Sequence, residues 1–336
     1  MAARLSFGYI YDMRNPQQWS RPPEDLYADM LDIIVETERL GFGSAWIPEH
    51  HLAEDGYVPS PLTVLSAIAA RTSTITIGSA IALAPLYNPV RFAEDCAMLD
   101  ILSNGRAEMG LAIGYRRREY EAFGLDFTTR GKRFDEFLQI VRSLWAGDTV
   151  TFQGRHFSIT EARVSPLSSR GQIPLYIGGF VGKALERAAK YGDGYYGNAE
   201  YYDTYVAKLK AHGKDPSSAG ILIPDLFNMV ARDPEAAMEE LAPHYHHASN
   251  AYGAWMNEDK AIGMDDAALA PMDLDAFKQS GIFRVWTPDE AISRLKAMQA
   301  KMNLKHYVMM APPGLPRDRF LAYAQDFAAD VIPAFN

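Results

Sequence analysis

A single cysteine, Cys96, in a chain of 336 residues excludes an internal disulfide and every zinc or redox motif built on paired cysteines. A reducing, cytoplasmic setting is the compartment this implies. Basic residues are also short: Lys plus Arg number 33 against 42 for Asp plus Glu, a net charge of -9 with no long basic run. Nucleic acid and anionic membrane surfaces are therefore not expected as partners. No apolar run approaches the ~20 residues of a membrane span. Asp12, Arg14 and Asn15 interrupt the N-terminal region before a signal core could form. Linkers rich in Pro, Gly and Ser are missing too, which argues for one domain over residues 1–336. Apolar residues at 48% and charged residues at 22% are ordinary globular usage, so the chain is expected to fold around a large core.

What is present is alternation. Strand-like runs at 5–11, 44–48, 75–83, 107–114, 174–179, 194–197, 221–230 and 306–311 are separated by helical patterns. The first helix, from about 25 to 40, carries Leu26, Met30, Ile33, Ile34 and Thr37 on one face and stops at Gly41. The third is punctuated by Asn88 as N-cap and Pro89 at N1, with a core face expected of Val90, Ala93, Ala97 and Ile101. Eight strand and helix pairs with short loops predict an α/β fold, a closed (β/α)8 TIM barrel with insertions at the C-terminal rim of its strands. The insertions are expected at about 115–131, 148–170 and 240–285, the second of them a small hairpin. Function is then expected at the rim, in 48–57, 84–88, 114–121, 178–183 and 196–200.

Several rim constellations carry chemistry. Glu49-His50-His51 ends the second strand. Adjacent residues on extended chain point to opposite sides, so one histidine can face the mouth as an acid or base while a shared metal is disfavoured. A purely structural histidine is the competing reading. Gly178-Gly179-Phe180-Val181-Gly182-Lys183 joins a strand to a helix, where backbone N–H groups can close on an anion. It is not a P-loop, and a turn needed only for packing is the alternative. Gly192-Asp193-Gly194-Tyr195-Tyr196-Gly197 spells a dinucleotide fingerprint but ends a helix and begins a strand, the wrong context. Arg116-Arg117-Arg118 offers charge near a bound phosphate, although a solvated run accounts for at least two of the three. His244, His246 and His247 lie in a helical region where residues three apart share a face, so a metal pair is geometrically possible, but no carboxylate-rich pattern accompanies them and no metal is expected. Trp19, Tyr57, Tyr195, Tyr196 and Trp255 read as core or insertion packing rather than pocket.

Taken together, these motifs resemble the luciferase-like family of flavin-dependent monooxygenases over nearly the whole chain. The resemblance is carried by Phe42-Gly43-Ser44-Ala45-Trp46-Ile47-Pro48-Glu49-His50-His51, by Leu86-Tyr87-Asn88-Pro89-Val90-Arg91-Phe92-Ala93-Glu94-Asp95 and by Leu99-Asp100-Ile101-Leu102-Ser103-Asn104-Gly105-Arg106. Gly114-Tyr115, Glu119-Tyr120-Glu121-Ala122-Phe123-Gly124, Tyr176-Ile177-Gly178-Gly179 and Val331-Ile332-Pro333 extend it. It implies a barrel that takes reduced FMN as co-substrate from a separate NAD(P)H:flavin reductase. O2 then forms a peroxyflavin that oxygenates a small organic substrate such as a ketone or aldehyde. It further implies that His50 is the catalytic proton donor or acceptor, and that a non-prolyl cis peptide at Ala80-Ile81 lies under the flavin ring. Gly114 and Tyr115 would border the flavin, its phosphate would sit on Gly178, Gly179, Phe180, Val181 and Gly182, and the protein would be a homodimer through barrel helices two and three.

Two departures narrow this. The arginine and cysteine of the luciferases fall at Ile113 and Ala112, so another cation must balance the phosphate and luminescence is not expected. The acidic residue of sugar-phosphate dehydrogenases that use a 5-deazaflavin is Tyr115 here. A deazaflavin-dependent oxidoreductase on another substrate, or a non-catalytic flavin-binding barrel, are the alternatives.

Overall fold

In the computed structural model, residues 5–168, 170–180, 182–258 and 270–336 are described. Among the described residues twelve strands are formed: β1 Ser6–Ile10, β2 Ser44–Ile47, β3 Thr76–Leu83, β4 Ala107–Ala112, β5 Val150–Gln153, β6 Ser158–Ala162, β7 Leu175–Gly178, β8 Gly194–Tyr196, β9 Gly220–Asp225, β10 Asn228–Val230, β11 Arg284–Trp286 and β12 Asn303–Met310. Eight of them close a barrel in the order β1, β2, β3, β4, β7, β8, β9, β12, and all its pairings are parallel. Around it run α1 Pro23–Arg39, α2 Pro61–Arg71, α3 Pro89–Leu102, α5 Arg130–Trp145, α6 Gly182–Tyr191, α7 Tyr202–Ala211, α10 Pro288–Lys301 and α11 Arg317–Asp330, one helix per barrel strand. The fold is thus the TIM barrel that the alternation predicts. Among the described residues no helix is long and apolar enough to cross a membrane.

Strands covered on both faces need near-continuous apolar runs, and β2 and β7 are buried at every position. The barrel interior is filled by Ile10, Trp46, Ala80, Tyr176, Leu222 and Val308. A Cβ on Gly78 would stand 2.3 Å from the Trp46 ring, so the close approach of β3 to that indole depends on glycine. Truncating Trp46 to alanine would cost about 3–5 kcal/mol, the usual scale for a buried aromatic. At the N-terminal end of β4 the polar pair Glu108 and His306, 3.1 Å apart, sits beside this core, with the Trp46 and Tyr176 rings edge-on to the imidazole.

Two expectations are corrected. The run 221–230 is not one strand, because the chain turns at Leu226 and Phe227. Asp225 accepts from the Asn228 amide and the Tyr307 hydroxyl and pairs with Arg284, which fixes this turn. β10 then leaves the barrel to pair with β11 in a small separate sheet. On α3 the buried face is Phe92, Ala93, Cys96, Ala97, Leu99 and Asp100, whereas Val90 is half-buried and Ile101 is 37% exposed. The helix is rotated from the expected setting, and Ile101 joins Met98 and Leu102 on an outer apolar face.

Two of the three insertions lie at the C-terminal rim, but the expected hairpin does not: it joins α5 to β7, a helix-to-strand connection that starts at the opposite end of the barrel, and packs back along α5, where Glu136 accepts the N–H groups of Arg155, His156 and Phe157. α4 Arg117–Ala122 follows β4, the β5–β6 hairpin follows α5, and α8 Pro234–Glu258 with α9 Leu274–Gln279 occupies the region before β11. Part of the expected 240–285 insertion, residues 259–269, lies outside the described residues.

Candidate active site

Past the end of β2 the side chains alternate as extended chain requires. Glu49 is buried, accepting the Leu83 N–H at 2.7 Å and the Tyr87 hydroxyl at 2.8 Å, with His51 Nε2 at 2.9 Å. It staples the rim of β2 to the end of β3. His50 turns the other way, into a cavity at the C-terminal mouth of the barrel. Its Nδ1 lies 2.9 Å from Oε1 of Glu119, which α4 carries, and its Nε2 lies 3.4 Å from the Tyr115 hydroxyl. The same Glu119 oxygen accepts the His51 backbone N–H at 2.9 Å and has Arg116 Nη1 at 3.4 Å.

The electrostatics assign the protons. Burial works against a charged Glu119, but the contacts with His50, the His51 N–H and Arg116 outweigh it and hold the carboxyl below the ordinary range. Burial pulls His50 down, with Glu119 opposing. An ionised carboxylate only accepts, so the neutral imidazole carries its proton on Nδ1 and leaves the Nε2 lone pair toward the cavity.

Aromatic rings surround this pair. Tyr57 and Trp255 lie 4.9 Å from the His50 ring, Tyr115 5.4 Å and Tyr252 6.1 Å. The Tyr57 and Tyr252 hydroxyls are 2.9 Å apart. Behind the rings sits Arg14, fully buried, with its guanidinium 4.6 Å from the Tyr57 centroid and 5.0 Å from those of Tyr252 and Trp255. Asp12 at 3.3 Å and Asp55 at 3.2 Å balance it, and Asp55 also receives His247 at 2.8 Å, which ties α8 to the rim.

The opposite side of the cavity is built differently. The Ala80–Ile81 peptide is cis, as the resemblance implies. Gly178 and Gly179 end β7, and α6 begins at Gly182. A Cβ on Gly178 would meet Ile81 Cδ1 at 2.2 Å, and one on Gly179, whose φ is +135°, would meet Ala184 at 2.6 Å. Only glycine leaves this cradle open. Arg130 and Arg187 line the cavity on this side. Arg187 is held by Asp135 at 2.6 Å and by the Gly131 carbonyl at 2.9 Å, while Arg130 lies over the Phe127 ring at 3.7 Å.

Of the residues singled out in the sequence, His50, Ala80, Ile81, Gly114, Tyr115, Gly178, Gly179 and Phe180 all line this one cavity of about 300 Å³. Gly182 stands at the start of α6 with open space around its Cβ position, and Val181 lies outside the described residues. Two readings are revised. Tyr57 and Tyr196 are cavity wall, not packing. Arg116 is buried, donates to the His51 carbonyl at 2.8 Å and covers Trp255, so its charge belongs to the His50 side and not to an anion site. His244, His246 and His247 each have a separate partner, in the Pro313 carbonyl, the Met272 carbonyl and Asp55. Among the described residues no group of three His, Cys, Asp or Glu could hold a metal ion. Glu119 was quoted only within a motif and given no role, and Arg14, Arg130, Arg187 and Tyr252 were given no site role because nothing local marks them.

A model of the luciferase-like monooxygenases matches residues 6–302. The chain belongs to the luciferase-like monooxygenase family. It is 25% identical over 334 residues to the oxygenase component of a flavin-dependent trigonelline monooxygenase of Acinetobacter baylyi, covering 93% of this chain and 91% of that one. It is 27% identical over 325 residues to an F420-dependent glucose-6-phosphate dehydrogenase of Amycolatopsis mediterranei, covering 91% and 93%. The solved structure of a monooxygenase from Streptomyces bottropensis shares the fold of this chain, with a TM-score of 0.83, 22% identity and coverage of 99% of this chain and 100% of that chain.

Proposed function

We propose that this luciferase-like protein is the oxygenase component of a two-component, FMN-dependent monooxygenase acting on a small organic substrate. The observation that carries the reading is one cavity joining the His50–Glu119 pair to a glycine cradle flanked by Arg130 and Arg187. The residues present fit the cofactor. Gly178 and Gly179 leave the space that a side chain would fill, the start of α6 favours an anion, and two guanidinium groups replace the cation that Ile113 cannot supply. When bound, reduced FMN would supply the two electrons that let O2 place one oxygen atom in the substrate and release the other as water.

The protein's own contribution is orientation and proton control. Arg130, Arg187, Gly178 and Gly179, with the start of α6 at Gly182, would hold the phosphate end. Ala80, Ile81, Gly114 and Tyr115 face the ring. His50 Nε2 gives or takes the proton beside it, and the surrounding rings keep bulk water away. A separate NAD(P)H:flavin reductase delivers the reduced flavin, and the cytoplasm, which holds the NAD(P)H pool, is the setting. The outer face of α3, with Met98, Ile101 and Leu102 exposed, is assigned to contact with a second copy in a homodimer.

The test is an anaerobic titration with reduced FMN, FAD, a 5-deazaflavin and NADH, followed by turnover with a generic flavin reductase, O2 and a panel of ketones and aldehydes. FMN is expected to bind most tightly. Preferential binding of the deazaflavin would replace this reading with the dehydrogenase-like one, and flavin binding without oxygenation of any substrate would leave a non-catalytic binding barrel.

A further inference from the structure

The flavin reading leaves the His50 end of the cavity to the organic substrate, and the chemistry of that end restricts the substrate's charge. Among the described lining residues, guanidinium groups occur only as Arg130 and Arg187, at the glycine cradle. Near His50 the carboxylates are Glu49, in the wall, and Glu119, bonded to His50 itself. The two cations of this end do not line the cavity: Arg14 lies behind the rings, committed to Asp12 and Asp55, and Arg116 is committed to Glu119 and the His51 carbonyl. A carboxylate entering here would lose its water beside other carboxylates without touching a cation, and an unpaired buried charge is heavily penalised.

A cation fares no better. Aromatic rings ordinarily welcome one, but Tyr57, Tyr252 and Trp255 already pack against the Arg14 guanidinium. Rings already engaged by one guanidinium offer a second cation little further attraction.

What remains is apolar contact and a small number of hydrogen bonds. Leu226, Met256 and Tyr196 complete the wall with apolar and ring surface. Burial keeps the Tyr57, Tyr115 and Tyr252 phenols protonated. The Tyr57 and Tyr252 hydroxyls share one hydrogen bond, which uses one of their two protons. The other is left for a ligand oxygen. Tyr115 donates toward His50 Nε2.

We propose that the His50 end is a subsite for a neutral, ring-bearing substrate that presents one hydrogen-bond-accepting oxygen, such as a carbonyl, to the Tyr57–Tyr252 hydroxyl pair, and that it rejects carboxylates and quaternary ammonium compounds of the same shape. The proposal rests on the flavin reading only for which end the substrate takes.

Calorimetric titration of acetophenone, benzoate and phenyltrimethylammonium into the protein loaded with oxidised FMN, where no turnover occurs, tests it. Acetophenone is expected to bind at least 10-fold more tightly than either ion, and Tyr252→Phe to lower its affinity about 5-fold while leaving FMN binding unchanged. Benzoate or the ammonium compound binding as tightly as the ketone would overturn the proposal, as would failure of all three to bind at millimolar concentration. The series is repeated on flavin-free protein. If FMN itself does not bind, the flavin reading falls, and the order of affinities on the flavin-free protein still decides the charge preference.

Discussion

Glu119 Oε1 accepts from two consecutive residues at once, lying 2.9 Å from both the His50 Nδ1 and the His51 backbone nitrogen. One carboxylate therefore fixes the tautomer of the imidazole and the path of the chain that carries it. Removing its charge should lower the His50 pKa, because the carboxylate favours the imidazolium form. In Glu119→Gln the acidic limb of the kcat/KM profile is expected to move to lower pH, and kcat to fall about 10-fold with FMN affinity retained. His50→Ala should keep FMN binding within a few fold and lower oxygenation by about 100-fold, the scale for losing a general acid or base. Unchanged turnover per bound flavin in His50→Ala would remove His50 from proton transfer. An unmoved pH profile in Glu119→Gln would limit Glu119 to a structural role.

The phosphate assignment is best tested at Gly182. Gly179 is unsuitable, since its φ of +135° and the 2.6 Å approach to Ala184 make any side chain there strained. At Gly182 a Cβ meets open space, and an acidic residue at the first position of α6 suits the helix dipole. Gly182→Asp should therefore fold normally yet weaken FMN at least 10-fold while leaving riboflavin, which has no phosphate, unaffected. Equal weakening of both flavins would place the phosphate elsewhere.

The barrel was legible because burial on both faces makes its strands conspicuous apolar runs, and the rim motifs followed from the rule that barrel chemistry sits at strand ends. The pairing of His50 with Glu119 was not legible, since the two are 69 positions apart and nothing in the local pattern selects that carboxylate among its neighbours. Tyr57 and Tyr252, 195 positions apart, meet only because α8 returns over the mouth. Arg130 and Arg187 converge because α5 and α6 are adjacent in the closed barrel. The motif Asn104-Gly105-Arg106 was legible as sequence but not as physics. Arg106 donates to the carbonyls of Ala69, Thr72, Ile75 and Ser103, so it satisfies the end of α2 and ties it to the strand edge. This is a fold requirement, independent of the reaction.

Met98, Ile101 and Leu102 are 43%, 37% and 59% exposed, a cluster on α3 where the sequence placed only Ile101, and placed it inward. Leu102→Glu should convert a homodimer to a monomer in light scattering at micromolar concentration, with little change in the stability of the isolated fold because the position is outside the core. A wild-type protein that is already monomeric would overturn the assignment of this face.

Asp12 offers a test of the charge cluster that supports the aromatic wall. Burial pushes its carboxyl up to about 6, with Arg14 pulling the other way. In the unfolded chain an Asp titrates near ~3.9. Between these values the native state holds a proton that the unfolded state has released. The contribution of Asp12 to stability is thus fully present below pH ~4 and is lost as pH rises through about 6. Asparagine mimics the protonated form at every pH. The difference in Tm between wild type and Asp12→Asn should therefore shift against the wild type from pH 4 to 6 and stay level from 6 to 8. A shift in favour of the wild type over the same window would mean that Arg14 wins over burial and keeps Asp12 ionised. In that case Arg14 would hold both Asp12 and Asp55 as carboxylate partners throughout this pH range.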